Sequence, residues 1–342
     1  MRSPKLVEDV KLDFKDVLIR PSLTDLSSRR EVDLVRKFNF KHHNTTWEGI
    51  PIMSANMDTT GTFEIAEALG AERLITCLHK HYKVDEVVNW GNRVGDSILE
   101  NIAVAAGVSD HDFGKVKEIT EALPAVKFLC LDVANGYQSS FIDRVAFYRS
   151  QFPNHIILAG NVVTPEISTI LLQAGADIIK HGIGPGSVCT TRKQTGVGYP
   201  QLSVILENAE NVRNQGGYMI SDGGCTVPGD IAKAFGAGTD FVMLGGMFAG
   251  HDESGGENVT NEQGQKFKKF YGMSSEAAMD KYSGGVNAYR SSEGKLVLLP
   301  AKGPVGATVA DMLGGIRSTC TYVGARTIEE LPGKTAFIRC TQ

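Results

Sequence analysis

The segment Gly182-Ile183-Gly184-Pro185-Gly186-Ser187-Val188-Cys189-Thr190-Thr191-Arg192 gathers residue types suited to chemistry. Three alternating glycines free the backbone, so carbonyls there can converge on a monovalent cation and N–H groups on an anion. Cys189 shares the segment with Arg192, and nearby positive charge lowers a thiol pKa and raises the nucleophilic thiolate fraction. A loop cysteine is otherwise commonly inert, so the residues alone leave both readings open. Cys77 and Cys130 fall inside apolar runs and read as packing residues, while Cys225, Cys320 and Cys340 lack this pairing of loop and cation. No C-x-x-C pair occurs among the six cysteines, so neither a zinc site nor a disulfide framework is indicated.

Such a loop needs a rigid support. Short apolar, β-branched runs at 50–53, 74–77, 102–105, 128–132, 156–160, 178–181, 218–222 and 241–245 read as buried parallel strands meeting functional loops. Between them, residues 63–69, 116–123, 167–173, 202–213 and 231–235 carry helical periodicity. An internal repeat reinforces the alternation: ILAGNVVTPEI with GADIIKHGIG parallels MISDGGCTVPGDI with GTDFVMLGG. Repeated βα units predict an α/β fold, a (β/α)8 TIM barrel of parallel strands with outer helices. The expectation is one catalytic domain over 1–342, with barrel strands about 50–245. Residues 250–305, rich in Gly and Ser, read as an irregular active-site lid, followed by a C-terminal segment, 306–342.

Barrel active sites lie at the carboxyl ends of the strands, and phosphate is commonly held after strands seven and eight. Those loops hold Gly223-Gly224 and Gly245-Gly246. They either let backbone N–H groups approach phosphate or simply make tight turns. Asp222 could accept ribose hydroxyls or cap a helix.

The composition sets limits. A formal charge of −4 argues against a nucleic-acid binder, and the Lys266 to Lys269 run reads as a short solvated face. The amino terminus lacks an uninterrupted apolar run and no stretch is long enough to span a membrane, so a cytoplasmic enzyme with no membrane partner is expected.

Beyond these readings, the chain resembles the inosine monophosphate dehydrogenase and GMP reductase family along nearly its whole length. The resemblance rests on LDFKDVLIRPS, IPIMSANMDT, GIGPGSVCTTR, SDGGC, VMLGGMFAG, YGMSSEAAM and GGIRSTCTYVGA, in the family's order. Two features favour the reductase branch. The dehydrogenases usually carry a regulatory domain early in the barrel, whereas only about two dozen residues separate the first two strands here. They also use an Arg-Tyr pair on a mobile flap, and this chain instead has Tyr289-Arg290-Ser291-Ser292-Glu293-Gly294-Lys295. A dehydrogenase without its regulatory domain is the alternative. A flavin-dependent barrel and a non-catalytic nucleotide sensor are more distant rivals.

The resemblance implies that Cys189 attacks the purine carbon bearing the exocyclic amine, with Thr191 and Glu293 as the proton relay that makes the amine a leaving group. Without it, Glu293 would read as a solvated loop carboxylate. It further implies that Ser187, Asp222, Gly223, Gly224, Gly245, Gly246, Gly272, Met273, Ser274, Arg290, Ser291, Ser292 and Gly294 contact GMP. Ser28, Arg29, Lys80, Asp132, Val133, Ala134, Tyr289, Ser318, Thr319, Cys320 and Thr321 would contact NADPH, partly across a subunit boundary, with Arg29 and Lys80 suited to its 2′-phosphate. Carbonyls of Gly184, Gly186, Cys189 and Arg192 would hold a potassium ion. A homotetramer is the family expectation.

Overall fold

The computed structural model describes residues 6–285 and 291–341. The first strands precede the main sheet: β1 (Val17–Ile19), then the antiparallel pair β2 (Arg36–Asn39) and β3 (Thr46–Gly49). Eight parallel strands then close on themselves: β4 (Ile52–Ser54), β5 (Ile75–Leu78), β6 (Ile102–Ala106), β7 (Phe128–Asp132), β8 (Ile156–Val162), β9 (Ile178–His181), β10 (Tyr218–Asp222) and β11 (Phe241–Leu244). The barrel is sealed where β11 pairs with β4 through Met53 and Met243.

Helices fill the crossovers. They are α1 (Phe63–Ala71), α2 (Val84–Val94), α3 (Asp96–Leu99), α4 (Asp110–Ala122), α5 (Ser139–Gln151), α6 (Pro165–Gln173), α7 (Thr191–Thr195), α8 (Gln201–Asn214) and α9 (Pro228–Gly236). Local chemistry sets their starts: the Thr62 and Ser109 hydroxyls accept from the backbone N–H groups of Ile65 and Asp112. Pro165 and Pro228 open α6 and α9, where a missing N–H costs nothing. The two repeats of the sequence are thus the units β8–α6–β9 and β10–α9–β11.

The strands face two cores. Outward residues such as Ile52, Leu129, Ile157 and Val242 pack under the helices, while Met53, Cys77, Phe128, Leu158, Ile220 and Met243 fill the barrel. The β2–β3 hairpin plugs the amino-terminal end of that interior with Phe38, Phe40 and Trp47. Phe38 stacks on Phe241 at 4.3 Å, and Trp47 meets Phe128 edge-on while its indole N–H donates to Asn101 Oδ1 at 2.9 Å.

Residues 250–305 depart from the irregular segment that composition suggested. Strands β12 (Asn258–Thr260), β13 (Lys266–Tyr271) and β14 (Leu296–Pro300) form an antiparallel sheet, and α10 (Glu276–Ser283) follows β13. The reading of Lys266 to Lys269 as a solvated face is corrected at one residue. Lys268 is buried and its ammonium donates to the carbonyls of His251, Asp252 and Ser254, so three acceptors replace its water. After the sheet, α11 (Val305–Val323) lies against α9, and α12 (Leu331–Lys334) leads to β15 (Phe337–Arg339), which pairs with β1. Among the described residues, no helix is long and apolar enough to cross a membrane.

Candidate active site

At the carboxyl ends of the strands lies a cavity of about 290 Å³, at the small end of the range for small-molecule sites. Its walls include Asp132, Val133, Ala134, Gly184, Gly186, Cys189, Thr191, Asp222, Gly272, Met273, Ser274 and Glu293, together with Asn56, Asn161 and Lys180.

Cys189 lies just before α7, and Thr191 is the first residue of that helix. The thiol of Cys189 donates to Thr191 Oγ1 at 3.3 Å, and the Thr191 hydroxyl donates to Glu293 Oε2 at 2.7 Å. Three side chains thus form one continuous path for a proton, although Glu293 is far away in sequence. Backbone pairing brings them together: Thr190 N–H donates to Glu293 O at 2.8 Å, Lys295 N–H to Val188 O at 2.9 Å, and Glu293 N–H to Ser274 O at 3.0 Å. Glycines permit the approach. A Cβ on Gly294 would lie 2.9 Å from Ser275 N, and one on Gly272 would lie 3.2 Å from Val188 O.

Arg192 does not reach the thiol as the sequence suggested. Its guanidinium donates to Asp13 Oδ2 at 3.0 Å and to Tyr199 O at 2.6 Å, and its stem is packed between Gly184 and Gly198. The charge is answered by Asp13, and the residue braces the loop.

In the cavity wall, Lys180 projects from β9 between two carboxylates. Its ammonium lies 3.1 Å from Asp132 Oδ1 and also binds Asp222 Oδ2. Burial alone would lower the Lys180 pKa, but Asp132 and Asp222 outweigh it and hold the amine charged, well above the ordinary lysine range. Burial likewise opposes ionisation of Asp132, yet Lys180 and the Asn56 amide, 2.9 Å from its Oδ2, bring its pKa below the usual carboxylate value. Asn161 Nδ2 donates to Asp222 at 2.8 Å. Sequence reasoning missed these three residues. The signal for Lys180 was a lysine inside an apolar strand run, since a buried charge must find partners.

Ser187 and Gly246 line an adjoining hollow that also includes Thr226 and Lys302. Gly223 and Gly224 adopt φ of +88° and +86°, which turns the chain after β10 against Pro185 and Gly186. A side chain on Gly246 would strike Ser187 Oγ at 2.9 Å, so the loops after β9, β10 and β11 meet here, and Gly245 packs beside Met57. Ser292 Oγ is used within the chain, donating to Gly294 O and accepting from Glu276 N–H, while Ser291 donates to Gln194.

The remaining residues expected around the dinucleotide separate. Lys80 stands 3.9 Å from Asp112 beside the barrel mouth. Ser28, Arg29 and Thr321 border a different cleft, shared with Arg30 and Tyr322. Ser318, Thr319, Cys320 and Thr321 all lie on α11, where consecutive residues face different directions. Cys320 is fully buried, so its side chain is turned away from any ligand in that cleft. Tyr289 and Arg290 lie outside the described residues. Among the described residues, no three or more His, Cys, Asp or Glu side chains gather as a metal site.

The protein is thus a closed (β/α)8 barrel with a cysteine, a hydroxyl and a carboxylate in hydrogen-bonded series at its mouth, beside glycine-built loops after its last strands. Comparison with known proteins narrows this. Residues 11–342 match the family model described as the IMP dehydrogenase / GMP reductase domain, and the chain belongs to that family. It is 57% identical to human GMP reductase 2 over 341 residues, 99% of this chain and 97% of the other. It is 56% identical to the GMP reductase of Salmonella arizonae over 335 residues, 98% and 96% of the two chains.

Proposed function

We propose that this chain reductively deaminates GMP to IMP and ammonia with NADPH as the reductant. The observation that carries the reading is the Cys189–Thr191–Glu293 series, set within a chain whose relatives are named GMP reductase. Cys189 sulfur, after yielding its proton toward Thr191 and Glu293, bonds to the purine carbon bearing the amine. The Thr191–Glu293 pair returns a proton to that amine, its bond to carbon breaks, and ammonia leaves a thioimidate on Cys189. When bound, NADPH supplies hydride to that carbon. The carbon–sulfur bond then breaks, IMP departs, and Cys189 is restored.

The converging loops suit the nucleotide. Ser187 and the N–H groups of Gly224, Gly245 and Gly246 would hold phosphate, with Gly223, whose N–H donates to Met243 O at 3.4 Å, supplying the turn, and α9 turns its positive end toward that region. Asp222, oriented by Lys180 and Asn161, would accept ribose hydroxyls, and Gly272, Met273, Ser274 and residues 290–294 would border the base. Asp132, Val133 and Ala134 line the same cavity, and the unpartnered buried Oδ1 of Asn161 marks further polar capacity there, so the wall fits a nicotinamide. The Ser28, Arg29 and Thr321 cleft would receive the dinucleotide's other end from a neighbouring subunit, with Lys80 supplying charge. This division supports a cofactor site shared between copies, as in a homotetramer. The carbonyls of Gly184, Gly186, Cys189 and Arg192 would hold a potassium ion, in a loop where Gly184 packs against the Arg192 side chain. A dehydrogenase reading is weakened by residues 55–74, which hold only a loop and α1 between the first two barrel strands.

The test is NADPH oxidation in the presence of GMP. It should require GMP and yield IMP and ammonia in equal amounts. Consumption of IMP with NAD at a comparable rate would overturn the reading.

A further inference from the structure

Asp58 lies in the loop after β4, next to the cavity-lining Asn56 and Met57, and its side chain is only 2% exposed. One of its oxygens, Oδ2, accepts three hydrogen bonds: from Tyr271 OH at 2.6 Å, Tyr282 OH at 2.6 Å and Lys281 Nζ at 2.8 Å. Burial opposes its charge, but Lys281 and the two phenols outweigh burial and lower its pKa. A buried carboxylate costs free energy unless its partners are well placed. Here all three partners belong to one segment, and they bracket it: Tyr271 ends β13, while Lys281 and Tyr282 lie in the last turn of α10.

Between those brackets run Gly272, Met273 and Ser274, which line the cavity, and Ser274 O receives the N–H of Glu293. The anchor is itself rigid. Ser54 Oγ donates to Thr60 O, Thr60 Oγ1 donates to Ala55 O, and Gly255 packs directly on the Asp58 carbonyl. The Tyr282 ring also stacks on His81 at 3.6 Å, one residue from Lys80, and the His81 N–H donates to His79 Nδ1.

We propose that Asp58 is a positioning residue for the proton relay, holding both ends of the 271–282 segment so that Ser274 sets Glu293 against Thr191. Through Tyr282 and His81 the same carboxylate joins this segment to the loop bearing Lys80. Asp58 touches none of the reacting groups and acts through the backbone. The inference rests on the proposed GMP chemistry for its kinetic arm, but the conformational arm is read without any substrate.

The experiment compares Asp58→Asn, Lys281→Met and Lys281→Arg with the native full chain, by GMP turnover, GMP binding and amide hydrogen exchange of the free protein. Lys281 is 54% exposed, so its variants should fold even where Asp58→Asn does not. Asp58→Asn should lower kcat by about 10- to 100-fold, the scale of a relay group displaced by about 1 Å, while the GMP dissociation constant changes by less than about threefold because phosphate and ribose are held elsewhere. Lys281→Met should shift in the same direction to a smaller extent, and Lys281→Arg should retain nearly native kcat. Exchange should rise in 271–285 and stay native in α8. Native kcat in Asp58→Asn, or in Lys281→Met if Asp58→Asn is unfolded, would overturn the proposal. So would faster exchange spread equally into α8, because that marks a general structural role. A native chain that fails to turn over GMP yet shows the localised exchange change would sink the functional reading and leave the anchor standing.

Discussion

The two ends of the barrel solve opposite problems. At the amino-terminal end, the β2–β3 hairpin drives Phe38, Phe40 and Trp47 into the interior, and the one indole donor present is satisfied by Asn101. At the carboxyl end, the same strands present Asp132, Lys180 and Asp222, with glycines at positive φ and a cysteine beside a hydroxyl. One end gains stability from apolar contact. The other holds buried charge and unusual backbone, which are sustained only because the strands beneath are fixed. Stability and reactivity are therefore separable along the barrel axis, and substitutions at the two ends should fail in different ways.

The largest effect should come from Cys189→Ala. Steady turnover should disappear, while circular dichroism and GMP binding remain, since the groups facing phosphate and ribose, Ser187 apart, sit on other loops. Residual turnover at a native rate would remove Cys189 from the mechanism.

Trp47→Ala tests the opposite end. Truncating a fully packed indole should cost about 3–5 kcal/mol of stability, seen as a lower denaturant midpoint, with kcat close to native wherever the protein is folded. A large fall in kcat at unchanged stability would break the separation.

Glu293→Gln sharpens the comparison within the mouth. Deamination should fall by about two or more orders of magnitude, as expected for losing acid–base assistance. Starting from IMP and NADP, a burst of at most one NADPH per active site should survive, because that direction needs the Cys189 adduct and not amine departure. Equal loss of burst and turnover with GMP binding intact would place the carboxylate on the other half of the reaction.

The smallest effect concerns cofactor choice. Neutralising Arg29 and Lys80 together should narrow the preference for NADPH over NADH, measured as a ratio of kcat/KM values, with stability unchanged. An unchanged ratio would remove both residues from recognition of the 2′-phosphate.

What could be read along the chain followed from local repetition. Short apolar runs marked all eight barrel strands, and Pro165 and Pro228 marked helix starts, because strand burial and helix initiation are written in neighbouring residues. The Cys189 loop was conspicuous for its glycines. The short strands β1 to β3 were not, since their mixed burial leaves no continuous run of buried apolar residues to read. The sheet of β12 to β14 was hidden by a Gly- and Ser-rich setting, and Lys268 was misread because its three carbonyl partners lie on a distant turn.

The sequence by itself determined the barrel, its order of units and the presence of a cysteine loop near glycine-rich turns, since each depends on contiguous residues. Only the tertiary structure decided that Arg192 turns to Asp13, that Lys180 lies between Asp132 and Asp222, and that Ser28, Arg29 and Thr321 occupy a separate cleft. It also decided that Glu293 meets Thr191. Those outcomes depend on where closure of the barrel carries residues far apart in the chain, and no local pattern encodes the distance between them.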